Sequence, residues 1–181
     1  MVIEQISKEH DCKRFDCTEE WMVEEEDREA AADMNSFLLR HAIEQAKKGV
    51  SRTYVLRDEN ATDANRVIGY FATSVGQLDP DDIPKVVSPR MTIPVFLLLR
   101  LAIDKDFQGK GYGAKLFIQV MHHLIRVAKE TGVHALVLDP LNDHVKPFYE
   151  RFGLRALPGD TSRMFIRARD VETWISQNSP K

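Results

Sequence analysis

Residues 101–116 read LAIDKDFQGKGYGAKL, and this stretch restricts the fold more tightly than any other in the chain. An apolar run over 94–103 ends at Asp104. Gly109, Gly111 and Gly113 then alternate with Lys110 and Tyr112, and an amphipathic pattern starts at once behind them. The apolar run predicts a central strand buried on both faces. The pattern after it sets Leu116, Val120, Leu124 and Ala128 on one face of a helix of about 18 residues, flanked by Phe117, Met121 and Val127. Gly132 predicts the helix stop and 133–139 a further strand. A strand, a helix and a strand in that order imply two parallel strands joined by a right-handed crossover. The class is therefore α/β or α+β with a mixed sheet.

The same turn has a chemical use. Glycines at 109 and 111 bring the backbone close to a ligand with no Cβ in the way. Free N–H groups at the start of the helix, aided by its dipole, then point at an anion. Two common phosphate binders do not fit. A P-loop needs G-x-x-x-x-G-K-[ST], but Asp104 stands five residues before Gly109 and Tyr112 follows Gly111. A dinucleotide fingerprint needs G-x-G-x-x-G and an acid on the next strand. Here the spacing is G-x-G-x-G, and 132–137 holds no acid.

Around this unit the pattern predicts a strand at 2–6, helix over 18–48 in two segments stopped by Gly49, and a hairpin of strands at 53–56 and 67–75. Residues 76–93 read as irregular with one helical turn near 81–86. A short helix carrying Phe148 and Tyr149 ends at Gly153; strands near 154–157 and 164–167 and a helix near 171–177 complete the chain. With 181 residues, no linker and no repeat, 1–181 reads as one domain. No apolar run spans a bilayer and no leader pattern opens the chain, so a cytoplasmic protein without a membrane role is expected. Cys12 and Cys17 are the only cysteines, which gives neither a disulfide framework nor a metal site. Charge is uneven: residues 1–33 carry a net −8 and 34–181 a net +5.

Two motifs name a resemblance. Gln108, Gly111 and Gly113 match Q-x-x-G-x-G/A. Asn142, Val145, Tyr149, Gly153 and Leu154 resemble N-x-x-A-x-x-x-Y-x-x-x-G-F. Together they resemble the acetyl-CoA signature of the GNAT acetyltransferases, over at least 67–167. The resemblance implies a mostly antiparallel, twisted, mixed sheet of six to seven strands flanked by helices, with its two central parallel strands splayed apart. It implies that Gly109, Lys110, Gly111, Tyr112, Gly113 and Ala114 hold the pyrophosphate of acetyl-CoA. Leu101, Ala102 and Ile103 would receive the pantetheine arm, Gln108 and Asn142 would belong to the same site, and Tyr149 would act as general acid toward the departing thiolate. No metal is implied.

A narrower likeness lies outside that core. Phe15-Asp16-Cys17, Met34-Asn35-Ser36-Phe37-Leu38, Gly49-Val50-Ser51-Arg52-Thr53-Tyr54, Arg100-Leu101-Ala102-Ile103 and Phe148-Tyr149-Glu150-Arg151-Phe152-Gly153 resemble the GNAT toxins of toxin–antitoxin modules. Those enzymes acetylate the α-amine of aminoacyl-tRNA, are dimers, and are neutralised by ribbon–helix–helix antitoxins. Arg52, Arg90 and Arg100 are the expected RNA contacts. No carboxylate stands out as a general base, which suits an α-amine, with a pKa of about 7.7–8.0, better than a lysine at about 10.4. The chain departs from the toxins in the acidic stretch 18–32 and in Leu99, where a small glycine is usual. The sequence leaves open a small-molecule amine or a protein N-terminus as acceptor, and a non-catalytic CoA-binding regulatory module.

Overall fold

A computed structural model describes residues 1–19, 22–79, 92–158 and 160–178. Seven strands form one sheet in the order β1-β2-β3-β4-β5-β7-β6. They are β1 (Val2–Gln5), β2 (Arg52–Arg57), β3 (Val67–Leu78), β4 (Ile93–Ile103), β5 (Ala135–Leu138), β6 (Arg155–Leu157) and β7 (Asp160–Arg167). The helices are α1 (Glu25–Ser36), α2 (Ala42–Lys47), α3 (Tyr112–Thr131), α4 (Lys146–Glu150) and α5 (Ala168–Asn178). β4 and β5 run parallel with Val95 opposite Ala135 and Leu98 opposite Leu138, as the strand–helix–strand pattern predicts. The mixed, mostly antiparallel sheet agrees with the expected class.

The chain divides into two compact units, Met1–Ser74 with Leu99–Gln119, and Val75–Leu98 with Val120–Lys181. In the first, β2 pairs antiparallel with both β1 and β3, with a register shift at Leu56/Arg57. Its core holds Val55, Leu56, Ile68, Phe71, Leu116 and Phe117. Tyr70 is fully buried against Phe15 and Phe37, and its hydroxyl donates to the carbonyl of Met34 at 2.9 Å. Gly69 is required by space: a Cβ there would stand 2.5 Å from Ile103 Cδ1 and 3.0 Å from the carbonyl oxygen of Ala102. β3 thereby lies tight against the last turn of β4.

In the second unit β7 pairs antiparallel with β5 and β6. Leu78, Ile93, Val95, Ala135, Val137 and Phe165 form its core. Phe152 packs on Trp174, whose indole N–H donates to the carbonyl of Arg151 at 3.2 Å and ties α5 to the end of α4.

Several expectations shift. Helix starts at Glu25 rather than at 18: the residue before it, Glu24, is extended, and the Asp16 carboxylate takes the backbone N–H and hydroxyl of Thr18. α1 and α2 are joined by a π-turn, Phe37–His41. β3 extends to Leu78, so residues 76–78 are strand, with Gly76 making room for Leu97. β4 is not buried on both faces throughout: Leu99 is 41 % exposed. The helical turn expected near 81–86 lies outside the described residues.

Candidate functional site

The glycine turn is held by a buried acid. Asp104, 1 % exposed, ends β4 and donates its N–H to the carbonyl of Ile68 at 2.8 Å. Its carboxylate accepts from the Asp106 N–H at 3.1 Å, from Arg66 Nη2 at 3.1 Å and from the Asp16 N–H at 3.3 Å. A buried carboxylate persists only with such partners. Arg66 also reaches Asp106 at 2.6 Å and lies over the Phe107 ring, which holds the Asp106 carboxyl below its ordinary range. Lys105 donates its N–H to the Asp16 carbonyl at 2.7 Å and its ammonium to the Asp16 carboxylate at 2.8 Å. That ammonium, followed by Thr18, pulls the Asp16 pKa far below normal. Gln108 completes the brace, donating its side-chain amide to the carbonyls of Ile103 at 3.0 Å and Cys17 at 3.3 Å.

Behind this brace, Gly109 and Gly111 take φ of 70° and 79°, a region that disfavours a Cβ. Nothing lies within 4 Å of where a Cβ would stand at either position, so both open onto free space. The carbonyl of Gly111 accepts the Lys115 N–H at 3.2 Å, which makes Gly111 the head of α3. The first N–H groups of a helix have no partner within it, and the first turn of α3 carries no acid. Lys110 donates to the Asp106 carbonyl at 2.7 Å and covers Phe107, while Lys115 lies over the Tyr112 ring. Backbone donors, lysines and open space make this turn fit for a phosphate group.

In the second unit, Asn142 accepts the His144 N–H at 3.0 Å and starts the turn that leads into α4. Pro147 sits in the first turn of α4, where its missing N–H costs nothing. Tyr149 follows, half-buried, with its ring edge-on to Phe148 at 5.0 Å. Its carbonyl accepts the N–H groups of Phe152 and Leu154, and Gly153 closes the turn at φ 85°. Burial pushes the Tyr149 phenol above its ordinary pKa, so the hydroxyl is protonated at neutral pH.

The expected arginines have separate partners. Arg100 pairs with Asp33 at 2.7 Å and lies over the Phe37 ring, whereas Arg52 donates to the Ala46 carbonyl at 2.6 Å at the end of α2. Arg90 lies outside the described residues. Burial raises the Cys12 thiol to about 11 and the Cys17 thiol to about 12, so both stay protonated. Among the described residues, no group of three or more His, Cys, Asp or Glu is placed to hold a metal ion. Likewise no helix among them is long and apolar enough to cross a membrane. Nothing in the sequence singles out Arg66, and the bonds of Asp16 and Asn35, both within the toxin-like motifs, emerge only in three dimensions. Asn35 accepts from the Cys17 N–H and donates to Asp16, closing in space the gap that the acidic stretch opens in sequence.

A family model described as the acetyltransferase (GNAT) family matches residues 14–154. The chain belongs to the GNAT acetyltransferases. Among curated relatives, it is 29% identical over 145 residues to a protein of Mycobacterium tuberculosis named tRNA-acetylating toxin, covering 78% of this chain and 84% of that one. Its fold is similar to AtaT complexed with acetyl-methionyl-tRNAfMet, with a TM-score of 0.80 and 26% identity over 95% of this chain and 97% of the other. It is also similar to a tyrosine-to-phenylalanine variant of the AtaT toxin bound to acetyl-CoA and to the C-terminus of the antitoxin AtaR. There the TM-score is 0.74 with 27% identity, over 97% of this chain and 98% of the other. The GNAT resemblance first carried by the glycine turn and the asparagine–tyrosine motif is thus confirmed.

Proposed function

We propose that this GNAT enzyme moves the acetyl group of acetyl-CoA to the α-amine of aminoacyl-tRNA and serves as the toxin of a toxin–antitoxin pair. The observation that carries the reading is the braced turn of residues 108–114: backbone N–H groups at the head of α3, open space at Gly109 and Gly111, and no acid in the first turn of α3. The N–H groups of 109–114 hold the pyrophosphate. The backbone of Leu101, Ala102 and Ile103 pairs with the pantetheine arm as an added strand would. Gln108 acts on this site by fixing the turn, and Asn142 by fixing the approach to α4. Residues 1–181 serve as one acetyltransferase domain, with 67–167 as its acetyl-CoA core.

The chemistry is acyl transfer. The neutral amine attacks the thioester carbonyl carbon, a tetrahedral oxyanion forms, and the C–S bond breaks as the amide forms. A backbone N–H of the Leu101–Ile103 segment of β4 stabilises the oxyanion. Tyr149, protonated at neutral pH, gives its proton to the leaving thiolate and regains one from water. The amine loses its own proton to water. An α-amine needs no strong base for this, since about half of it is neutral near pH 8.

Likeness to proteins named for tRNA acetylation and antitoxin binding supports the acceptor and the module. We place the enzyme in the cytoplasm with its charged tRNA, as a homodimer neutralised by a ribbon–helix–helix antitoxin. The test is to incubate the enzyme with labelled acetyl-CoA and charged tRNA. Label recovered on the aminoacyl group is expected; label found only on free amines or polypeptides rejects the tRNA acceptor.

A further inference from the structure

Leu99 is a large apolar side chain left bare on an interior strand. β4 lies between β3 and β5 in the sheet order, and such a strand in a helix-flanked sheet normally buries its apolar side chains. Within β4 only Pro94, the second residue, is otherwise exposed, whereas Leu99 shows 41 % of its surface near the other end. The next residue is shielded. Arg100 lies over the Phe37 ring at 4.2 Å and pairs with Asp33 at 2.7 Å, so α1 and the π-turn cover Arg100 while Leu99 stays open.

The position of Leu99 along β4 gives this exposure a meaning. Pairing of β4 with β5 runs from Val95 to Leu98, so Leu99 is the first β4 residue past that ladder. Two residues on, about 7 Å along the strand, lies Leu101, the start of the segment assigned to the pantetheine arm and the oxyanion. Leu99 is also where the sequence departs from the toxins it resembles, which carry a glycine there. The departure adds a whole isobutyl group beside the reacting carbon.

We propose that Leu99 selects the acceptor, packing against a large apolar side chain on the aminoacyl group and disfavouring a glycyl one. This rests on aminoacyl-tRNA as the acceptor. Chemistry and place choose the occupant. The α-amine must reach the thioester carbon beside Leu101–Ile103, and its own Cα then carries the aminoacyl side chain to within reach of Leu99. An isobutyl group has no charge and no hydrogen bond to offer, so it discriminates by apolar area alone. A leucyl acceptor buries Leu99; a glycyl acceptor leaves it in water. Discrimination of this kind in an apolar contact is on the order of 10- to 200-fold.

The test takes one tRNA body charged in turn with leucine and with glycine, and the methylamides of the two amino acids in parallel. The full-length protein is compared with its L99G and L99S variants, and kcat/KM is measured for each acceptor. The wild type should favour the leucyl acceptor by about tenfold or more. Both variants should bring that ratio within about threefold, through a higher KM for the leucyl acceptor. Partial unfolding lowers both acceptors alike and cannot move the ratio. An unchanged ratio in both variants overturns the proposal. So does a gain for the leucyl acceptor in L99G, since Leu99 would then be a barrier and not a contact. A constant ratio with a changed sedimentation mass in L99S also overturns it, because Leu99 would then serve contact between copies of the chain. If the charged tRNAs stay unlabelled while the methylamides are acetylated, the tRNA reading fails, and the methylamide ratio decides the role of Leu99.

Discussion

The side-chain amide of Gln108 donates to the carbonyl oxygen of Ile103 across 3.0 Å, tying the glycine turn to the last residue of β4. The same amide reaches Cys17, so one side chain joins the strand, the turn and the N-terminal segment. Gln108→Leu keeps the approximate volume and removes both bonds. It should lower stability by about 1–3 kcal/mol, since two carbonyls lose their donor. The KM for acetyl-CoA should rise about tenfold, with kcat at saturating acetyl-CoA little changed. Thermal denaturation with steady-state kinetics checks this; a fall in kcat alone would show that Gln108 acts on the chemistry and not on the grip.

Tyr149→Phe deletes one hydroxyl and keeps the ring packed on Phe148. Acetyl transfer should slow on the order of 10²-fold, the usual contribution of a positioned acid. Affinity for acetyl-CoA, measured by calorimetry, should stay within about twofold, well under the 1.4 kcal/mol of a tenfold change. Full activity in the variant would remove Tyr149 from the proton path.

Gly111 separates backbone strain from charge. With φ at 79°, Gly111→Ala should cost about 1–2 kcal/mol in stability. Gly111→Asp adds a carboxylate where the phosphates would lie and should abolish acetyl-CoA binding by calorimetry, beyond what Ala does. Equal binding by the two variants would mean that no anion sits there.

The pH profile should have a single limb. Activity rises as the α-amine loses its proton, with a midpoint of about 7.7–8.0. Because burial raises the Tyr149 pKa, the acid form persists past the ordinary tyrosine value of about 10 and gives no alkaline fall below it. A decline in kcat between about pH 8 and 9, absent from Tyr149→Phe, would contradict a raised pKa.

Asp16 ties acid stability to the turn. Its pKa is depressed by Lys105 and then Thr18, so its contribution is fully present above the unfolded value of about 3.9 and is lost as pH falls through the folded one. Asp16→Asn should therefore lower stability by about 1–3 kcal/mol at pH 7. The gap to wild type should shrink steadily below about pH 4 in denaturation series.

Legibility in the sequence followed the range of the interactions. The parallel pair, the long helix and the stops at Gly49, Gly132 and Gly153 depend on local periodicity and on backbone signs, and each stop glycine has a positive φ. The late start of α1 goes with an extended Glu24 and with a side chain, Asp16, that captures Thr18. The brace under the glycine turn was hidden for a different reason. Asp16 and Asp104, 88 positions apart, carry no shared pattern, and Arg66 looks like any charge at the start of a strand. Arg100 was legible as a cation, but its pairing with Asp33 was not.

The clasp between residues 16–17 and 104–108 also bears on the protein's lifetime. Bonds from Asp16 and Cys17 complete a turn made some 90 positions later, so that turn cannot close until both stretches have left the ribosome. A single proteolytic nick that freed residues 1–17 would remove those bonds together with β1 and the packing of Phe15 on Tyr70. The N-terminal end is thus a place where a cell could disarm the enzyme by degradation.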